Sequence, residues 1–396
     1  MGKIIFLNSH PIQYFVPLYQ KITTENNSIE VEVVYCSGEN NRDGNEDIGF
    51  GTTVKWDIPL LHGYKSIFLK NYSWFSSIDF GFWSLLNFGI IKYLFKNRKA
   101  IIVIHGWAYA TNILAILFGR LFGLNICLRA ETPLNQELRK NKFFIYLKHK
   151  CLKCLFYFVE YFLFIGNQNY LFYKKFGIAE SKLIFVPYCV DNNRFKETAR
   201  NVNKTELKEL LFGIPPSYKI IMFSGKYIEK KRPLDLIKAF LLLNRNDVML
   251  VMIGEGELRS VLEKYISIHN LKNKVKLTGF VNQTEIPKYY SLANVFVMCS
   301  GLGETWGLSV NEAMNFGTPI IVSDTSGCSN DLVKHGENGY VFREGNIEEL
   351  SLRLSLCLDM NDEKLQIAKE CNNSILNSYS YDTIINSLKK IVSMSN

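Results

Sequence analysis

Two glutamates eight residues apart, Glu304 and Glu312, bracket a glycine-broken turn in the stretch Cys299 to Gly317, which reads CSGLGETWGLSVNEAMNFG. The apolar run from Asn294 to Cys299 has the length of a buried strand, Gly301 and Gly303 break it, and Leu308 to Phe316 has helical spacing. A turn of this kind leaves backbone N–H groups aimed at whatever lies before the helix, where the helix dipole favours an anion. That is the chemistry of a phosphate seat. Free carboxylates beside a phosphate would repel it unless they contact neutral hydroxyls, and a nucleotide sugar supplies both, with a diphosphate between two hydroxyl-rich rings. Eight residues of helix would set the two acids about 12 Å apart. Glycoside hydrolysis needs roughly 5 Å or 6.5–9.5 Å between its carboxyls, so the pair fits gripping two ends of one ligand better than a hydrolase's acid and base.

Three more turns of the second half carry suitable groups. Ser224 to Pro233 contains Gly225 followed by four cations, Lys226, Lys230, Lys231 and Arg232. Cations aimed at a diphosphate stabilise the charge that develops on it as a glycosidic bond breaks. Gly254-Glu255-Gly256-Glu257-Leu258-Arg259 approaches a dinucleotide fingerprint, but Arg259 replaces the third glycine and no acid ends the next strand, so the case for NAD is weak. Gly279-Phe280-Val281 ends a strand and could seat a nucleobase through backbone groups. Donor selectivity is expected from side chains near Phe280, Gly303 and Trp306.

In the first half the corresponding turns are Asn8-Ser9-His10-Pro11-Ile12-Gln13, His105-Gly106-Trp107 and Arg129-Ala130-Glu131. Open α/β sheets bind ligands at such strand ends. His10, Gln13, His105 and Glu131 are therefore candidates for sugar or acceptor contacts, with helix capping an equal reading for His10.

The elements that must position these turns alternate between strand-like and helix-like from the start, which predicts an α/β protein with parallel sheets. Strands are expected at Lys3–Leu7, Glu30–Tyr35, Ile101–Ile104, Ile126–Leu128, Tyr161–Ile165 and Leu183–Val186, with a first helix at Ile12–Ile22. A second series is expected at Lys219–Phe223, Val248–Ile253, Val275–Thr278, Asn294–Cys299, Pro319–Val322 and Tyr340–Phe342. The stretch Ser37 to Ser73, rich in Gly, Asn and Asp with a short extended piece at Thr53–Ile58, reads as a long functional loop that could accommodate the acceptor. Asp191 to Ser217 reads as a connection with one short helix. The resulting division is an acceptor-binding domain over 1–195, a linker over 196–217, a donor-binding domain over 218–378, and a final helix over 379–396 that could return to the first domain.

With 396 residues, 47% of them apolar, the chain can bury the cores of about two domains. Its net charge of +9 is uneven: residues 1–194 hold 22 Lys and Arg against 14 Asp and Glu, the remainder 24 against 23. Arg139, Lys140, Lys142, Lys148, Lys150 and Lys153 fall in one acid-free run interleaved with Phe143, Phe144, Tyr146 and Leu147. Such a helix could lie on an anionic inner-leaflet surface, or simply pack on the sheet with a solvated basic face. Ala100 to Gly119 splits into strand, turn and helix better than it makes a span. No signal-peptide pattern follows Lys3, and nine cysteines, an odd number mostly inside apolar runs, suggest a reducing compartment. Together these point to a cytoplasmic protein, peripheral to the membrane if attached to it. Cys151 and Cys154 form a lone C-x-x-C whose expected role is core packing. Nothing in the pattern points to nucleic acid.

Taken together these residues resemble glycosyltransferase family 4, the retaining nucleotide-sugar enzymes of GT-B fold also described as glycosyltransferases group 1. The match is Glu304-x7-Glu312 inside ETWGLSVNEAMNFGTPIIVSD, then Gly327, Asp331-Leu332-Val333 and Gly336-Glu337-Asn338-Gly339. The resemblance implies a GT-B architecture of two Rossmann-like, doubly wound domains facing across a cleft. It implies that Glu304 contacts the donor sugar, Glu312 the ribose hydroxyls, and Lys226 and Lys231 the diphosphate. Gly225, Gly254, Phe280, Val281, Thr305, Gly307, Leu308 and Ser309 would complete the donor pocket, largely through backbone groups. Lys226 stands where the family usually has arginine, which keeps the charge and loses the planar fork. The strand end Arg129-Ala130-Glu131 lacks the histidine often found there, and the first loop has His10-Pro11 in place of a glycine pair. No Asp-x-Asp occurs, so no metal is expected and no cofactor beyond the donor itself. The implied reaction is transfer to an acceptor hydroxyl on a lipid-linked or other saccharide, as in lipopolysaccharide or capsule synthesis. A nucleotide-sugar epimerase of the same fold and a non-catalytic membrane-associated scaffold are the alternatives.

Overall fold

The computed structural model describes all residues except 1, 26–27, 39–44, 48–51, 55, 75–77, 79, 138, 140, 201 and 396, with the backbone alone at 45–47, 52–54, 142, 144, 199 and 200. In chain order its strands are β1 (Gly2–Asn8), β2 (Ile29–Tyr35), β3 (Asn45–Asp47), β4 (Thr52–Val54), β5 (Lys65–Phe68), β6 (Ile101–His105), β7 (Asn125–Arg129), β8 (Tyr161–Phe164) and β9 (Leu183–Phe185). They continue with β10 (Lys219–Ser224), β11 (Val248–Ile253), β12 (Val275–Gly279), β13 (Val295–Met298), β14 (Ile320–Ser323) and β15 (Gly339–Phe342). Two parallel sheets result, ordered β5-β2-β1-β6-β7-β8-β9 and β12-β11-β10-β13-β14-β15, while β3 and β4 pair separately as an antiparallel hairpin.

Central strands of parallel sheets are buried on both faces and so read as unbroken apolar runs. Ile4 to Leu7, Ile101 to Ile104 and Val248 to Ile253 are buried throughout. Parallel neighbours need a crossover, and helices supply it. One core gathers side chains such as Ile102, Ile104, Ile116, Phe162 and Tyr173 around the first sheet, another gathers Phe223, Leu250, Val297 and Leu354 around the second.

The chain divides into two compact units: Met1–Asp43, Pro59–Tyr188 and Tyr381–Asn396 form one, Gly44–Ile58 and Cys189–Ser380 the other. The helix Tyr381–Ser395 belongs with the first sheet, burying Ile384, Ile385, Leu388 and Ile391. Ser387 Oγ donates to the Phe185 carbonyl of β9 at 2.7 Å, and Asp382 pairs with Lys21 at 2.9 Å.

Four local expectations are corrected. The stretch Ser37 to Ser73 is not one loop, because β5 within it joins β2 in register from Glu32 opposite Lys65; its polar start hid it. Glu32 is buried between Lys3 and Lys65, and the Tyr64 hydroxyl meets that of Tyr35 at 2.7 Å. The first helix starts at Val16, after a turn closed by the Phe15 N–H on the Ile12 carbonyl at 3.0 Å. The connection after Asp191 holds two helices, Asn192–Arg200 and Lys204–Phe212. The second is capped by Asn203 and stopped by Gly213 at φ 62°. Cys151 and Cys154 do not pack inward: both are exposed on the helix Lys142–Phe156, which instead buries Leu152 and Phe156. Residues 100–119 split into β6 and the helix Ala110–Leu121. Among the described residues no helix is long and apolar enough to cross a membrane.

Candidate active site

Strand order reverses between β10 and β13, and a doubly wound sheet opens a crevice at such a point, outside the carboxyl ends of the two strands. The turns leaving those strands are the lysine turn and the glutamate turn. They are laced together: the Gly301 N–H donates to the Lys230 carbonyl at 2.8 Å, and Lys230 Nζ donates to the Gly303 carbonyl at 3.4 Å. The Lys231 ammonium donates to Glu304 Oε2 in a close ion pair. Burial alone would push the Glu304 carboxyl up, but the charges of Lys231 and Lys230 outweigh it and hold the group below its ordinary value. Lys230 is lowered, first by its own desolvation and then by Lys231 and Lys226, against the pull of Glu304. Several cations thus stand near one carboxylate, a surplus of positive charge suited to an incoming anion.

Glycines let these turns touch. Gly254 has φ 146°, and a Cβ there would lie 2.0 Å from the Gly225 carbonyl oxygen. Gly225 N–H donates to Ile253 O at 2.9 Å, and Gly254 N–H to Gly279 O at 3.0 Å, so the turns after β10, β11 and β12 form one layer. Arg259, where a fingerprint would have glycine, is engaged with Glu255 and Glu263. After β12, Phe280 packs edge-on against Trp56 with centroids 5.8 Å apart, and Val281 is half-buried.

The helix after Glu304 is shorter than its spacing suggests. It spans Leu308–Met314 with Gly307 at φ 116° as its cap, so Glu304 and Thr305 precede it in a turn and the separation of the two acids is not eight residues of helix. Gly327 clamps this turn, donating its N–H to the Glu304 carbonyl at 3.2 Å with its Cα pressed on Thr305. Leu308 and Ser309 open the helix, half-buried, and Glu312 is buried with Oε2 accepting from the Tyr290 hydroxyl at 2.7 Å. Trp306, near which donor selectivity is expected, is itself buried. Its Nε1 donates to Asn311 Oδ1 at 2.9 Å, and its ring stacks on Tyr379 at 5.5 Å, so it braces the turn from inside.

The first sheet has its own reversal, between β1 and β6. His10 follows β1 with Nδ1 at 2.9 Å from Ser9 Oγ, and Gln13 is half-buried in the turn beyond. His105 ends β6 against the edge of Phe15, centroids 4.8 Å apart, with Nε2 shielded and lacking a hydrogen-bond partner among the described residues. Arg129, which the sequence reading passed over, is 4% exposed and lies over Phe15 and Tyr188 at 4.9 and 4.6 Å. Its guanidinium donates to Glu131 Oε1 at 2.9 Å. The structure therefore gathers His105, Arg129 and Glu131 with two aromatic rings. The signal for Arg129 was its place at the end of a parallel strand, and that for Tyr188 was Pro187 before it.

Burial and then the charge of Arg129 hold His105 well below the ordinary histidine value. The unfolded chain takes up that proton below about pH 6.5 while the folded chain does not, so stability falls as pH drops, by at most about 1.4 kcal/mol per unit. His105→Leu is expected to remove this slope in urea unfolding between pH 7 and 5.5; an unchanged slope would place the titration elsewhere.

The fold is of GT-B type. Residues 208–373 match the model of the family described as glycosyl transferases group 1. The chain is 25% identical over 313 residues, 76% of its own length and 78% of the other's, to UDP-Gal:alpha-D-GlcNAc-diphosphoundecaprenol alpha-1,3-galactosyltransferase of Escherichia coli. It is 30% identical over 173 residues to an uncharacterized glycosyltransferase of Methanocaldococcus jannaschii, 43% of this chain and 44% of that one. The crystal structure of Anabaena HepE in complex with UDP superposes with a TM-score of 0.73, covering 100% of both chains at 15% identity.

Proposed function

We propose that this glycosyltransferase transfers a sugar with retention and without a metal, from a nucleotide-sugar donor to a hydroxyl of a lipid-linked or surface-polysaccharide precursor. The observation that carries the reading is the Lys231–Glu304 pair at the strand-order reversal, with Lys226 and Lys230 beside it. In this reading Glu304 holds the donor sugar's hydroxyls, Glu312 the ribose, and Lys226 and Lys231 the diphosphate. Backbone groups of Gly225, Gly254, Phe280 and Val281 lie toward the base, and those of Thr305, Gly307, Leu308 and Ser309 toward the phosphates and sugar. The bond from the anomeric carbon to the phosphate oxygen breaks as the acceptor oxygen bonds on the same face, and the acceptor's proton passes to the departing phosphate. The lysines stabilise the growing negative charge without a metal. His10, Gln13, His105 and Glu131 would serve the acceptor or sugar.

UDP is supported as the donor's nucleotide by the UDP in the HepE structure and by the E. coli relative's UDP-Gal. That relative's diphosphoundecaprenol-linked acceptor supports a lipid-linked one here, and with it work at the cytoplasmic membrane face. The test is incubation with labelled nucleotide sugars, with and without membrane lipid extract and with and without EDTA. Lipid-dependent transfer that survives EDTA is expected. Acceptor-independent isomerisation would make the protein an epimerase, no donor binding would leave a scaffold, and loss with EDTA would overturn the metal-free mechanism.

A further inference from the structure

All ten exposed Trp, Tyr and Phe side chains among the described residues lie between Tyr72 and Tyr157, and seven of them lie within residues 72–95. Tyr72, Trp74, Phe80, Phe82 and Trp83 precede the helix Gly89–Lys96, Phe88 caps it and Phe95 sits on its outer side. Trp74 is 97% exposed and Phe80 67%. Rings left in water at this density mark a surface that something else covers.

The segment is built to present them. Asn71 ties it down, with Nδ2 donating to the Ser84 carbonyl at 2.8 Å and Oδ1 accepting from Ser73 N–H and Leu86 N–H. Tyr72 then meets Phe88 at 5.9 Å, and Phe95 meets Phe122, just past the helix Ala110–Leu121, at 5.3 Å. Ile90 and Leu94 fix the helix by its inner side, leaving Phe88, Lys92, Phe95 and Lys96 outside. Leu117 and Leu121 of the neighbouring helix extend the apolar surface.

Charge identifies the occupant. From Lys70 to Lys99 the sequence has five Lys and Arg, all exposed, and a single acid, Asp79. Lys70 lies over the Tyr72 ring at 5.1 Å and Arg98 over Phe95 at 4.4 Å, so cations and rings share one face. Lysine is depleted from the centres of protein interfaces. Aromatic rings with interleaved lysines suit the headgroup layer of an anionic bilayer, where amphipathic rings partition and basic side chains are attracted.

We infer that Tyr72, Trp74, Phe80, Phe82, Trp83, Phe88 and the outer side of the helix Gly89–Lys96 form the membrane-docking surface, resting on anionic phospholipid headgroups with Trp74, Phe80 and Trp83 inserted among them. The inference deepens the proposed function and rests on its membrane-borne acceptor. It moves the anchoring element away from the helix Lys142–Phe156, which turns Leu152 and Phe156 inward and pairs Lys148 with Glu137 at 2.8 Å.

The test is co-sedimentation of the full chain with vesicles of phosphatidylglycerol and phosphatidylcholine, against phosphatidylcholine alone. Wild type is expected to bind the anionic vesicles and to release with salt. Trp74→Ser/Phe80→Ser/Trp83→Ser and Lys92→Glu/Lys96→Glu are each expected to lower partitioning at least tenfold with an unchanged melting temperature. Phe143→Ser/Tyr146→Ser/Leu147→Ser is expected to bind nearly as wild type. Undiminished binding by the first two variants, or wild type that ignores anionic vesicles, overturns the inference. So does a self-association that the aromatic variant abolishes without vesicles present, which would make this face an interface between copies. Donor turnover measured on the same variants separates the two readings: vesicle binding without transfer keeps the surface and sinks the function, and transfer without vesicle binding does the reverse.

Discussion

Glu304→Ala is expected to lower sugar transfer by about a hundredfold to a thousandfold, the scale of losing one transition-state contact in a buried site, while the far-ultraviolet circular dichroism stays that of the parent. Glu304 is 7% exposed and is held ionised by Lys231 and Lys230, so at neutral pH it presents a fixed negative acceptor. Truncation removes that acceptor and also frees Lys231, whose side chain is 17% exposed and no longer has its carboxylate. Some loss of melting temperature is expected because breaking a buried pair leaves a charge uncompensated. Glu304→Gln separates the effects: it keeps the shape, and transfer should still fall at least tenfold if the charged acceptor is what matters. Near-normal activity in both variants would remove Glu304 from the reaction. The depressed carboxyl also sets a pH sign, since its stabilising contribution is complete above the ordinary glutamate range and is lost only as pH falls through the lowered folded value.

Gly327→Ala should damage both stability and activity. A Cβ at this position would stand 1.8 Å from the Thr305 carbonyl oxygen and 2.6 Å from its carbon, and these are backbone atoms that no rotamer change can move aside. The Glu304–Trp306 turn must shift, and Glu304 moves with it. Overpacking of this kind costs roughly 1–3 kcal/mol, readable in urea unfolding, and a displaced Glu304 should take transfer down at least tenfold. Parent-like values in both measurements would show that the turn does not press on Gly327.

The central strands were legible because burial on both faces writes an unbroken apolar run; Val248 to Ile253 is read to the residue. The strand β5 was not, since an edge strand needs few apolar side chains and its partner Glu32 lies more than thirty residues earlier. Lys231 and Glu304 were recognisable as residue types at strand ends. Their pairing, across 73 residues, depends on β10 lying beside β13, and that order is a property of the whole sheet. The direction of Trp306 is not legible, because a tryptophan in a glycine-rich turn gives no sign of it. Its direction comes from Tyr379 and Asn311, one of them distant in the chain. Arg129 was overlooked because an arginine at the end of a strand looks like a solvated cation until Phe15 and Tyr188 are seen flanking it.

The helix Tyr381–Ser395 gives the protein an order of manufacture. Its Ile384, Ile385, Leu388 and Ile391 fill the first unit, yet they leave the ribosome after every residue of the second. Until they are made, the first unit, translated mostly before the second, keeps the apolar surface they cover open. A nascent first unit is the one that holding chaperones would be expected to meet, and a chain cut short before Tyr381 would hold every residue of the second unit and lack the side chains that complete the first.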